Sequence, residues 1–150
     1  MPADTRPPLE QLYFGAIYSF TVGGRTTAFT FSPARFGTRE IFPIDCATWA
    51  IITARNPMSV ALDEAANLRL DAALQDALDH LNLVSHPACN RARDHSWNEP
   101  GRMVPGCTRS QALTLGRRFQ QRAVVWTEGE IPGLLDVRTE NWKTRPVLWS

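Results

Sequence analysis

The sequence predicts an α+β fold, a single domain in which a largely antiparallel or mixed sheet packs against two helices. Three observations carry this. Alternating apolar residues flank a Gly23-Gly24 pair, a continuous apolar run covers Thr48 to Ala54, and two later segments repeat apolar residues at helical spacing. The expected order is roughly ββ-β-α-β-β-α-β.

In the first strand, Tyr13 to Val22, the residues Phe14, Ala16, Tyr18, Phe20 and Val22 share one face. Gly23-Gly24 makes the hairpin turn, because glycine accepts positive φ without steric cost. Thr26 to Phe31 returns, and a loop rich in Pro and Gly runs from Ser32 to about Cys46. The run Thr48 to Ala54 suits a central strand covered on both faces. Pro57 then forces Asn56 out of helical geometry. Ser59 is the expected cap of a helix reaching about Asn82, with Leu62, Ala66, Leu70, Ala73, Ala77 and Leu81 as its stripe, Leu74 and Leu78 widening it, and Asn67 at the stripe's edge beside those two leucines. Two short strands follow around a loop at Asp94-His95-Ser96-Trp97. Thr108-Arg109-Ser110-Gln111 is a capping box for a second helix ending near Gln121. Ala123 to Thr127, Gly133 to Val137 and Pro146 to Trp149 read as the closing strands.

The length of 150 residues fits one domain with one core, with residues 1–10 as a disordered lead-in and 11–150 as the domain. A hydrophobic fraction of 43% and a charged fraction of 21% describe an ordinary globular chain and exclude a disordered one. No apolar run approaches the roughly 20 residues of a membrane helix. The start, Met1-Pro2-Ala3-Asp4-Thr5-Arg6-Pro7-Pro8, lacks the pattern of a secretory signal. The odd set of Cys46, Cys89 and Cys107 reads as free thiols in the cytoplasm. Lys143 is the only lysine, a poor candidate for Schiff-base chemistry.

Net charge is +1, but it is unevenly spread. Asp63 to Asp79 is acidic. Arg91 to Arg122 is basic, and Arg91, Arg93, Arg109, Arg117, Arg118 and Arg122 form a candidate surface for phosphates or nucleic acid. His86, Cys89, His95 and Cys107 have the right chemistry for zinc but come singly, so no metal is expected. No G-x-S-x-G, phosphate-cradling G-x-x-x-x-G-K or H-E-x-x-H occurs, and no cofactor is expected.

Polar residues that interrupt apolar context are more informative. Asn56 ends a buried strand, Asn67 sits on an apolar helix face, Glu99 lies between Trp97 and Pro100, and Gln121 closes a helix. Buried polar groups cost about 1–3 kcal/mol each unless bonded. Either they satisfy one another, or they line a pocket.

The same residues carry a resemblance. Ile52-Thr53-Ala54-Arg55-Asn56-Pro57, then Asn67 and Arg69, then Trp97-x-Glu99-Pro100, then Gly116 and Phe119-x-Gln121-x-Ala123 resemble a bacterial family known as domain of unknown function 3293. Tyr13, Ala16 and Tyr18 fit its usual opening, and the likeness spans about 11–126. Arg55 stands where that family usually has an aromatic residue, and Gly101 where a serine commonly follows the Glu-Pro pair. The resemblance implies no activity.

Three functions follow for testing. In the first, a small molecule, nucleotide- or sugar-like, is bound or processed in a pocket. Glu99 is then its acid, base or binding carboxylate, Trp97 stacks on a ring, and Arg55, Asn56, Asn67 and Gln121 fix orientation. In the second the arginine segment binds phosphates or nucleic acid, which is the less favoured reading. In the third the domain is an interaction module and the polar set only specifies the fold. No membrane partner is expected.

Overall fold

The computed structural model describes residues 13–31, 46–129 and 131–150. The expected lead-in over residues 1–10 and the loop from Ser32 to residue 45 lie outside them.

Strand β1 (Ile17–Val22) turns at Gly23-Gly24 into β2 (Arg25–Phe31). Both glycines are left-handed, φ 58° and 78°, as a two-residue hairpin turn requires. β1 begins at Ile17 and not at Tyr13, because the Ala16 N–H closes a turn on the Tyr13 carbonyl at 3.5 Å. Phe14 and Ala16 are buried all the same, so the apolar alternation continues where the strand does not.

β3 (Thr48–Ile52) is central. After it come a 3-10 turn (Pro57–Ser59) and helix α1 (Glu64–His80). The cap of α1 is Asp63, not Ser59: the Asp63 carboxylate accepts the Ala66 N–H at 2.7 Å. Ser59 has φ 61°, outside the extended backbone a cap adopts. The buried line of α1 runs through Asn67, Leu74, Ala77 and Leu78, while Leu62 and Leu81 are exposed. Asn67 therefore lies within the apolar face and not at its edge.

β4 (His86–Arg91) and β5 (Asn98–Pro105) form a hairpin around the Asp94 loop. Helix α2 (Arg109–Arg118) opens with both bonds of the capping box. It stops short of Gln121 because Gln120 turns left-handed (φ 54°) and the Gln121 N–H returns to the Gly116 carbonyl at 2.9 Å. β6 (Ala123–Glu128), β7 (Ile131–Asp136), β8 (Trp142–Thr144) and β9 (Val147–Trp149) complete the chain. β8 has no counterpart in the sequence reading, since three residues are too few to show a period.

Among the described residues the strands form one sheet in the order β8-β7-β6-β3-β5-β4-β1-β2-β9, with every neighbour antiparallel. β8 and β9 lie at opposite edges, yet only Arg145 and Pro146 separate them. Three steps of extended chain reach roughly 11 Å at most. The sheet must therefore curl until its two edges nearly meet.

The packing agrees. One apolar cluster takes Tyr18, Phe20, Phe29, Phe31, Trp49, Ile51, Ala88, Met103, Val125, Leu134 and Val147, drawn from every strand except β8. That is the interior of a barrel-like sheet. Its rings meet edge-on or stacked, as in Tyr18–Phe29 at 5.3 Å and Phe29–Trp49 at 5.9 Å. The second cluster holds Ala50, Ile52, Val104, Val124, Trp126 and Leu135 beneath Leu74, Leu78, Ala112 and Leu115 of the two helices. The single core expected from chain length is thus two cores, one on each face of a sheet covered on both sides.

Candidate functional site

The strand β3 ends in a strained turn. Asn56, Met58 and Ser59 are all left-handed, at φ 50°, 56° and 61°. Such residues cost of order 1–3 kcal/mol each and persist only where their surroundings enforce them. Here amides do the enforcing. The Asn56 N–H donates to Asn67 Oδ1 at 3.1 Å, and Asn67 Nδ2 donates back to Asn56 Oδ1 at 3.0 Å. The Leu62 N–H also donates to Asn56 Oδ1, at 3.0 Å. Gln121 Nε2 donates to the Arg55 carbonyl and to the Phe119 carbonyl, both at 3.1 Å, and the Met58 N–H reaches the Gln120 carbonyl at 2.8 Å. Arg55 itself grips α1: its guanidinium donates to Asp71 at 2.7 Å and to Glu64 at 3.2 Å. Four of the expected ligand-facing residues, Arg55, Asn56, Asn67 and Gln121, thus bind the end of β3 to α1 and to the loop after α2.

The amide left over points at Glu99. Asn56 Nδ2 donates to Glu99 Oε1 at 3.1 Å. Burial pushes the Glu99 carboxyl above its ordinary 4.5, against the pull of the Asn56 hydrogen bond and the Arg55 charge. Tyr13 lies close by. Burial first, and the Glu99 charge second, push its hydroxyl up to about 12.

Strand register places Trp97 with Glu99. Tyr18 pairs with Asn90, and Asn90 with Glu99. One step further out the Ala92 N–H bonds the Trp97 carbonyl at 3.2 Å. Side chains two residues apart on a strand share a face. Tyr18, Asn90 and Glu99 therefore form a row on the inner face of the barrel, and Ala92 and Trp97 form the next row, about 7 Å nearer its rim. A recess of about 370 Å³ opens there, lined by Gly15, Ala16, Ala92, Arg93, Asp94, Ser96 and Trp97. Of the expected ligand-facing residues only Trp97 lines it; Arg55, Asn56, Asn67 and Gln121 do not, and Asn90 and Glu99 lie one row deeper, behind its lining. Asn90 was not singled out from the sequence. It is 8% exposed, and its Oδ1 is buried without a hydrogen-bond partner among the described residues. An asparagine in a strand is unusual enough to notice, but only the register with Tyr18 and Glu99 gives it meaning.

The arginine segment is divided. Arg109, Arg117 and Arg118 lie on α2 and Arg91 on β4, with β3 and β5 between α2's strand β6 and β4. Glu140 engages two of them, its carbonyl accepting from Arg109 and its carboxylate pairing with Arg117 at 2.9 Å. Arg118 lies over the Phe119 ring, and Arg93 Nε donates to the Gly15 carbonyl at 3.2 Å. Arg122 Nη1 is buried without a hydrogen-bond partner among the described residues.

Among the described residues no three His, Cys, Asp or Glu side chains gather as a metal cluster. Cys107 is buried, which pushes its thiol up to about 12 and makes it a weak nucleophile. Burial also raises the Cys89 thiol, which donates to Asn98 Oδ1. No helix among the described residues is long and apolar enough to cross a membrane.

No curated protein and no solved structure matches the chain. The motifs at the end of β3, on α1, at the start of β5 and after α2 all fall within residues 52–124, and that segment matches the model of a family described as Protein of unknown function (DUF3293).

Proposed function

We propose that the domain binds a small polar molecule at the rim of its barrel, with Glu99 as the group that meets it and Trp97 as the flat surface beside it. The observation that carries this reading is the shared face. A half-buried carboxyl with a raised pKa and an exposed recess walled by an indole lie one strand row apart. Carboxyls held in that state serve as general acids or as binding groups. Asn56, Asn67, Arg55 and Gln121 act behind Glu99. They hold the strained turn that aims the Asn56 amide, so they position the site without lining the recess. Binding alone satisfies this reading, and turnover by Glu99 is its stronger form. A reducing compartment such as the cytoplasm suits the three thiols.

The phosphate alternative is weaker, because Glu140 holds Arg109 and Arg117. A screen of small polar molecules, read by the Trp97 indole N–H resonance, tests the proposal. Saturable binders that weaken in Glu99→Gln are expected. A screen in which no compound moves Trp97 refutes it and favours the interaction module.

A further inference from the structure

We propose that the ligand taken at this rim is a small organic cation bearing N–H donors, an ammonium or guanidinium group, received jointly by Asn90 Oδ1 and the Glu99 carboxylate. The inference rests on the ligand site proposed above and adds the chemistry of what enters it.

The argument starts from what the row Tyr18–Asn90–Glu99 offers. Directly paired residues of an antiparallel ladder have Cα atoms roughly 4.5–5.5 Å apart, with side chains on the same face. Asn90 Oδ1 is an acceptor, buried and unpartnered among the described residues. Native structures leave few such atoms without a partner, because each costs about 1–3 kcal/mol. Glu99, when ionised, is acceptor-only. Two acceptors side by side call for a donor that reaches both, and a charged donor forms the stronger bonds. An ammonium or a guanidinium has that geometry and charge.

The next row outward fits the same guest. Trp97 is the best aromatic face for a cation. The charges lining the recess, Arg93 and Asp94, are opposite in sign, and Arg93 turns its Nε to the Gly15 carbonyl. Asn56 occupies one Glu99 oxygen, Oε1. A bound cation would neutralise a carboxylate that burial otherwise disfavours.

The test uses the whole chain, isotope-labelled, with four probes: methylguanidinium, butylammonium, butanol and butyrate. The two cations should move the resonances of Asn90, Glu99 and the Trp97 indole saturably, and butanol and butyrate should not at equal concentration. Asn90→Leu and Glu99→Gln should each weaken cation binding by about tenfold or more, the loss of one charge-assisted bond. Melting curves establish that each variant folds. If either does not, the ranking of the four probes on the parent protein decides alone. Butanol or butyrate binding this face as well as the cations overturns the cation inference and leaves the ligand site standing. Cations that leave this face unmoved while the broader screen finds other Trp97 binders do the same. Silence in both experiments overturns the inference together with the proposed function.

Discussion

Glu99 and Asn67 both interrupt apolar surroundings, but their environments set them different tasks. Asn67 is 5% exposed and exchanges two hydrogen bonds with Asn56. Asn67→Leu would match the helix face yet leave the Asn56 N–H unpaired at a left-handed residue. We expect a loss of about 1–3 kcal/mol in urea unfolding. Glu99 should behave oppositely. Its folded pKa is raised, so the folded state holds the proton more tightly than the unfolded chain does. The stabilisation from protonation is complete below 4.5 and is lost as pH rises through the folded value. Glu99→Gln keeps an acceptor for Asn56 and removes the charge. At pH 7 its melting temperature should equal or exceed that of the parent, and its stability should lose this slope above 4.5. A drop of about 1–3 kcal/mol at pH 7 would instead make Glu99 a structural acceptor. The sequence discloses that these residues are unusual, because polar groups at apolar positions stand out. It does not separate them, since hydrogen-bond partners on distant elements leave no local trace.

At the scale of elements, legibility follows how local the cause is. The Gly23-Gly24 turn and the Thr108–Gln111 capping box are written within four residues, and both form as read. Thr108→Ala should cost about 1 kcal/mol of stability, measured by urea unfolding. The start of α1 is harder to read, because the expected cap Ser59 is itself one of three left-handed residues in the turn before it, and the helix starts only after Asp63. Gly101 shows the limit best. Its importance lies in a neighbour far along the chain: a Cβ there would run into the Ile52 carbonyl. Backbone gives way less readily than side chains, so Gly101→Ala should destabilise by more than about 2 kcal/mol. An unchanged melting temperature for Gly101→Ala would show that β3 and β5 can part there.

For the whole molecule, the α+β class, the two helices and the antiparallel sheet are readable because each rests on periodicity. The curl is not, because closure depends on which strands become neighbours. Nothing local says that β9 will pair with β2, or that β3 will insert between β5 and β6. The two cores follow from that pairing. So does the unequal protection of the thiols. Cys107 is buried, whereas Cys46 and Cys89 are partly exposed. In the folded protein a thiol reagent should modify Cys46 and Cys89 well before Cys107. In denaturant all three should react without prior reduction, and two that stay protected until a reductant is added would reveal a disulfide.

The two-residue joint between β8 and β9 bears on how the chain is made. β2 emerges from the ribosome early, but the strand that covers its outer edge comes more than a hundred positions later. Until then the Arg25–Phe31 edge presents unpaired backbone groups to any passing strand. The sheet can close only when β9, the last made of the nine described strands, joins β2, one of the first, so its closure waits on that late segment. Loop-closure entropy makes such long-range pairing slow. The barrel is safest once complete and most exposed to mispairing in the interval just before.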